Sequence, residues 1–203
     1  MSAPGHESKQ HFDTLYQESE DPWKIRERWY ERRKRALTLA ALPEEYYARA
    51  FEPGCGNGEL TALLASRCGE LLAADIAEQA VELTRRRISR LVNVSVEQMQ
   101  WPDVWPSGSV DLVVMSEIGY YLDEPQLMRV ADFLHERLSA SGAVVACHWR
   151  KEIAGWPRIG DDVHATLRDR LSLPHLCRYQ DDDLVLDVWT RDARSVHERE
   201  GLE

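Results

Sequence analysis

The chain has 203 residues, 43% of them apolar and 30% charged, with a formal net charge of −10. That is the make-up of one globular domain with a sizeable core, and its acidic balance speaks against a nucleic-acid backbone as the main partner. No apolar stretch reaches the ~20 residues that cross a bilayer, residues 1–10 lack the apolar run of a secretory signal, and Cys55, Cys68, Cys147 and Cys177 are too widely spaced for a zinc or redox motif, so the expectation is a cytoplasmic protein without membrane contact, its thiols reduced and mostly buried.

Residues 1–10 read as a flexible tail. Asp21-Pro22 has the form of a helix start, with Asp21 as N-cap and Pro22 in the first turn, and the spacing predicts a helix from Trp23 to Leu42, stopped by Pro43. The charges from Arg26 to Arg35 alternate with Glu27 and Glu31, as on a solvated helix face. A strand ending near Phe51 leads into a glycine turn, then a helix over Glu59–Cys68 with Leu60, Leu63 and Leu64 on one face. Glu70–Asp75 is a short buried strand, Ala77–Leu91 a helix, and Val94–Met99 a third strand. After a loop marked by Pro102, Pro106 and Gly108, Val110–Ser116 is apolar on both sides, as in a covered parallel sheet. A helix over Pro125–Ser139, a strand over Ala143–His148 and a helix near Asp162–Leu171 follow. The strands Cys177–Gln180 and Leu184–Thr190 are joined by the turn Asp181-Asp182-Asp183. The alternation predicts a single α/β domain over residues 11–203. It is a Rossmann-like, seven-stranded, mostly parallel sheet with an antiparallel edge strand and helices on both faces.

In such a sheet the ligand lies beyond the carboxyl ends of the strands, where the strand order reverses. The turn Glu52-Pro53-Gly54-Cys55-Gly56-Asn57-Gly58 belongs there, its glycines letting a ligand lie against the backbone. Asp75, followed by Ile76, ends the next apolar run, and a carboxylate there accepts from both hydroxyls of a ribose. Met99-Gln100-Trp101, after the third strand, would lie along an adenine, and an amide oxygen on Gln100 can accept from the adenine amine. Ser116, which ends the fourth strand, and Ile118 just beyond it complete the cofactor side.

A dinucleotide fingerprint requires Gly-x-Gly-x-x-Gly. Gly54, Gly56 and Gly58 instead give Gly-x-Gly-x-Gly behind an acidic residue, which resembles motif I of class I S-adenosylmethionine-dependent methyltransferases. The flanks are more specific. His11-Phe12-Asp13-Thr14-Leu15-Tyr16, Asp21-Pro22-Trp23, Tyr30-Glu31-Arg32-Arg33-Lys34, Ser116-Glu117-Ile118-Gly119-Tyr120-Tyr121-Leu122, His148-Trp149-Arg150 and Gly155-Trp156-Pro157 resemble the nodulation protein S (NodS) family over most of the chain. The resemblance implies S-adenosylmethionine as cofactor and, as acceptor, the free amine of a deacetylated chitooligosaccharide or a similar aminosugar. It also implies a helical lid over residues 11–43. Tyr16, Trp23 and Tyr30 would fold over the cofactor, and Arg33 would pair with its methionyl carboxylate, in keeping with cation–π and carboxylate-fork chemistry.

Methyl transfer to an amine needs the nucleophile aligned and a base near the methyl group. Glu117, after the fourth strand, and His148, at the end of the fifth, are the candidates; His164 is a weaker one. Tyr120, Tyr121, Trp149 and Arg150 are candidates for holding the substrate. No metal is expected, since Asp161-Asp162 and Asp181–Asp183 read as a helix start and a hairpin turn. O-methylation of a small polar metabolite and a non-catalytic nucleotide-binding module are the alternatives. Methylation of nucleic acid is disfavoured, because Ser116-Glu117-Ile118-Gly119 stands where the Asn/Asp-Pro-Pro-Tyr type of motif would be.

Overall fold

The computed structural model describes residues 4–156 and 158–201, with side chains from residue 9 onward. Seven strands form one sheet: β1 (Tyr47–Pro53), β2 (Cys68–Asp75), β3 (Val94–Gln98), β4 (Val110–Ser116), β5 (Leu138–Trp149), β6 (His175–Gln180) and β7 (Leu184–Thr190). Their order is β3-β2-β1-β4-β5-β7-β6. The first five run parallel, and β7 is antiparallel to both β5 and the edge strand β6. Because β1 lies between β2 and β4, the order reverses beside it and opens a crevice at the strands' carboxyl ends.

Among the described residues seven α-helices surround the sheet: α1 (Pro4–Glu18), α2 (Trp29–Ala40), α3 (Glu59–Leu64), α4 (Glu78–Arg87), α5 (Glu124–Arg137), α6 (Gly160–Arg170) and α7 (Val196–Arg199). Each sheet face carries its own apolar cluster. One joins Phe51, Val113 and Met115 to Leu127, Leu134 and Leu167 of α5 and α6. The other joins Leu71, Leu112 and Val145 to Leu60 and Leu64 of α3, with Leu37 of α2 packed against it. β4 has the predicted bounds, and a strand apolar on both faces is what a covered parallel sheet requires. The helix before β5 is capped by a box in which Asp123 accepts from the Gln126 N–H and the Gln126 side chain accepts from the Asp123 N–H.

The N-terminal region departs from the sequence expectation. Residues 4–10, read as tail, belong to α1. Residues 1–3, 202 and 203, and Pro157 of the Gly155-Trp156-Pro157 motif, lie outside the described residues. The helix expected from Trp23 begins only at Trp29. Asp21 is not its N-cap: the carboxylate accepts from the N–H groups of Ile25 (2.7 Å) and Arg26 (3.1 Å), closing a separate turn. Lys24 sits in that turn in the left-handed region (φ 56°), which breaks helical continuation. Nor is the α2 charge run a solvated face. Glu31, Lys34 and Arg35 are buried, because Lys34 is paired with two carboxylates and Arg35 donates to the Ile25 carbonyl (2.9 Å). No helix among the described residues is long and apolar enough to cross a membrane. Cys55, Cys68 and Cys147 are buried free thiols, and Cys177 is exposed.

Candidate active site

The glycine turn begins where β1 ends. Gly54 and Cys55 donate to the Ala74 carbonyl (2.7 and 3.0 Å), which folds the turn back against β2. Gly54, Gly56 and Gly58 all have positive φ (72°, 59° and 79°), where side chains are strained. A Cβ on Gly54 would stand 2.6 Å from Ile118 Cδ1, and one on Gly56 would stand 3.1 Å from the Tyr16 hydroxyl. The turn is therefore bare on its cavity side. Gly58 faces Thr84 instead, so its place is helix packing between α3 and α4 rather than the cavity.

Asp75 ends β2 and is oriented by backbone donors: Gly56 N–H to Oδ2 and Ala77 N–H to Oδ1, both 3.0 Å. Burial raises its carboxyl above the ordinary value, and those N–H groups partly offset the effect. Glu52 is buried with Oε2 lacking a partner among the described residues. Burial raises its pKa to about 8; the neighbouring Thr61 hydroxyl tempers the rise and Asp75 adds to it. Asn57 donates to Asp21 Oδ1 (3.1 Å), and its own Oδ1 has no partner among the described residues, like Trp101 Nε1.

One cavity unites these groups. Glu52, Gly54, Gly56, Asn57, Asp75 and Ile76 line it from the β1 and β2 ends, and Met99, Gln100 and Trp101 from the loop after β3. Ser116, Glu117, Ile118, Tyr120 and Tyr121 close the β4 side, and Phe12, Tyr16 and Trp23 cover it from the N-terminal segment. Phe12 meets the Tyr121 ring edge-on at 4.9 Å, and Tyr16 meets Trp23 at 5.7 Å.

Glu117 occupies the left-handed region (φ 59°), a strain that surrounding bonds must hold. Its Oε1 receives Lys34 Nζ (3.2 Å) and the Tyr30 hydroxyl (3.4 Å). Its Oε2 receives the Trp149 N–H (3.3 Å) and a short bond from the Tyr120 hydroxyl. All four acceptor positions of the carboxylate are thus filled. Lys34 also meets Glu31 Oε2 at 2.8 Å. Burial disfavours the Lys34 charge, but Glu117 and Glu31 outweigh it and raise its pKa. Burial and Glu117 together push the Tyr120 phenol well up.

Several expected residues lie elsewhere. Arg33 pairs with Asp181 (2.7 Å) and bonds the Tyr179 hydroxyl, so it is turned away from the cavity toward the β6–β7 hairpin. Its neighbours Lys34 and Arg35 line the cavity instead: a helix carries consecutive side chains around its axis, about 100° apart. Tyr30 stands behind Glu117, under Lys34, rather than over the cofactor. Arg150 is engaged by Asp161 (2.9 Å) and the Asp181 carbonyl, and Trp149 packs into the core, so neither reaches the cavity. His148 is wholly buried. Its Nε2 accepts from the Gly119 N–H (2.9 Å) and its Nδ1 faces His164 Nε2 (3.0 Å). Both nitrogens being occupied, and burial and His164 depressing its pKa, it is not a base exposed to substrate. Sequence reasoning did not place Glu31, Lys34 and Arg35 at the cavity; a run of charge on a helix carries no signal of which side faces a site.

A bare glycine turn at the reversal point, a carboxylate ending the next strand and an antiparallel β7 beside the edge are the arrangement of the class I methyltransferase fold. The family model for nodulation protein S (NodS) matches residues 7–165. Nodulation protein S of Rhizobium tropici is 32% identical over 119 residues, 56% of this chain and 48% of that protein. The chain spans about half the length of the curated relatives it matches. The structure is similar to that of a candidate methyltransferase from Pseudomonas syringae at 49% identity, over 81% of this chain and all of that one (TM-score 0.73). It is also similar in fold to the N-methyltransferase NodS from Bradyrhizobium japonicum WM9 in complex with S-adenosyl-L-homocysteine, at 23% identity over 93% and 98% of the two chains (TM-score 0.80). The chain belongs to the NodS family.

The residues fit the cofactor of that family. A Cβ on Gly54 or Gly56 would crowd Ile118 or Tyr16 of the cavity wall, and buried Glu52 Oε2, Asn57 Oδ1 and Trp101 Nε1 stand without partners among the described residues.

Proposed function

We propose that this chain methylates the nitrogen of a small-molecule amine, with aminosugars and partly deacetylated chitooligosaccharides as the acceptor class. The observation that carries the reading is that Asp75 and Glu117, on the ends of β2 and β4, line the same cavity. S-adenosylmethionine, when bound, supplies an electrophilic methyl group on a sulfonium. Asp75 and the glycine turn would hold the nucleoside half, and Lys34 or Arg35, not Arg33, the carboxylate of the methionyl half. Glu117 would draw an ammonium acceptor to the β4 side. Its charge is shared with Glu31 across Lys34, so two carboxylates face one cation there, a balance that favours a cationic acceptor over a neutral or anionic one. Tyr120, with its proton committed to Glu117, offers only lone pairs to an amine N–H. The amine's proton would pass toward Glu117 once Tyr120 or Tyr30 yields its place, and Phe12, Tyr16 and Trp23 would exclude water.

The test is a methyl-transfer screen of partly deacetylated oligosaccharides, simple aminosugars and small phenols, read by mass. Methylated amines are the expected result. Methylation of phenols alone would replace this reading by O-methylation.

A further inference from the structure

His148, His164 and Asp187 are buried to within 1% exposure, and none lines the cavity. Their bonds nevertheless run in one direction. A peptide N–H can only donate, so the 2.9 Å bond from Gly119 requires a lone pair on His148 Nε2. The His148 proton then sits on Nδ1, 3.0 Å from His164 Nε2. That nitrogen must be bare in turn, which puts the His164 proton on Nδ1, 2.6 Å from Asp187 Oδ2. Asp187 Oδ1 meets His175 Nε2 at 2.6 Å on the edge strand. One peptide N–H thus dictates the tautomers of two imidazoles, and a carboxylate anchors the far end.

The near end is built for close approach. A Cβ on Gly119 would stand 2.8 Å from His148 Nε2 and 2.5 Å from Val163 Cγ1. Gly119 opens the short turn Gly119–Tyr121, two residues after Glu117, and Tyr120 and Tyr121 of that turn line the cavity. The Tyr120 ring also lies edge-on to the His148 ring, centroids 5.4 Å apart.

We propose that His148 is a positioning residue: through its bond to Gly119, with its tautomer fixed by His164 and Asp187, it holds the Tyr120–Tyr121 turn against the acceptor side of the cavity. The acceptor role of that side rests on the methyltransferase reading; the clamp itself does not.

Long-range proton–nitrogen NMR on the full chain reads the tautomers, and both His148 and His164 are expected as Nδ1–H forms. Two variants separate the bond from mere burial. His148→Gln keeps an amide oxygen at about the reach of Nε2, whereas His148→Asn is one methylene shorter. Hydrogen exchange of the 119–122 amides should speed up roughly tenfold in the Asn variant, the scale of one lost bond, and stay within about twofold of the parent in the Gln variant. Affinity for S-adenosylhomocysteine should hold within about twofold in both, while the KM of a methylated amine rises in the Asn variant and recovers in the Gln variant. An Nε2–H tautomer on His148, equal exchange in the two variants, or an equal loss of S-adenosylhomocysteine binding would overturn the proposal. Expected tautomers and exchange in a parent chain that binds no S-adenosylhomocysteine would leave the clamp standing and remove the methyltransferase reading.

Discussion

Glu52 couples the cofactor cavity to the stability of the fold. Its side chain is buried behind the glycine turn, and burial raises its pKa from 4.5 to about 8. A raised value means that the folded chain keeps a proton which the unfolded chain sheds. The contribution is therefore fully favourable below pH 4.5 and is lost as pH rises toward 8. The gap grows by ~1.4 kcal/mol per pH unit, so at neutral pH it reaches about 3 kcal/mol. Glu52→Gln keeps the shape and cannot ionise. Urea unfolding of the apo protein from pH 5 to 8 should show the variant more stable at pH 7 by up to about 3 kcal/mol and without that part of the slope. Binding should move the other way. An ammonium in the cavity favours charged Glu52, so S-adenosylhomocysteine, a zwitterion that carries one, should release a proton on binding at pH 7. Calorimetry in buffers of different ionisation enthalpy measures that release, and Glu52→Gln should abolish it and weaken binding. Parallel pH–stability curves for parent and variant would refute the reasoning.

Two further outcomes are expected. Burial holds His148 and His164 below their ordinary pKa, so the unfolded chain takes up protons that the folded chain refuses as pH falls below ~6.5. Stability should be full above that pH and drop by ~1.4 kcal/mol per pH unit for each histidine, best read in the Glu52→Gln background, where the opposing slope is gone. Arg35→Ala should weaken S-adenosylhomocysteine binding by roughly tenfold or more, the loss of one charge-assisted contact, whereas Arg33→Ala leaves it within about twofold; calorimetry on the two variants decides which arginine serves the cavity.

The sheet was legible because short apolar runs, Leu71–Ala74, Leu112–Met115 and Ala143–Cys147, sit inside its strands and glycines punctuate the chain between them. Val110–Ser116 could hardly be anything else, and the Leu184–Thr190 strand has its expected bounds. Asp75 and the bare turn were legible for the same reason: their positions follow from where strands end. The N-terminal region was not. Trp23–Leu42 has helix-forming composition throughout, but Asp21 captures the Ile25 and Arg26 amides and starts a different turn. Which face of α2 meets the cavity depends on Glu117, more than eighty residues away, and a helical charge run read alone looks solvated. His148 drew attention as a polar end to an apolar strand. Its partners are 16 and 29 residues distant, a separation at which spacing carries no information, so only the folded chain shows it buried and bonded at both nitrogens.

The Tyr16 hydroxyl lies close enough to the glycine turn to touch a Cβ on Gly56, so α1 is itself a wall of the cavity. That wall stands on small and aliphatic residues, Ala77, Ala80 and Leu83. A ligand leaving past this side would have to displace the wall from that apolar seat. A methylene removed at Leu83 should then quicken ligand exchange by loosening the seat of α1 on α4.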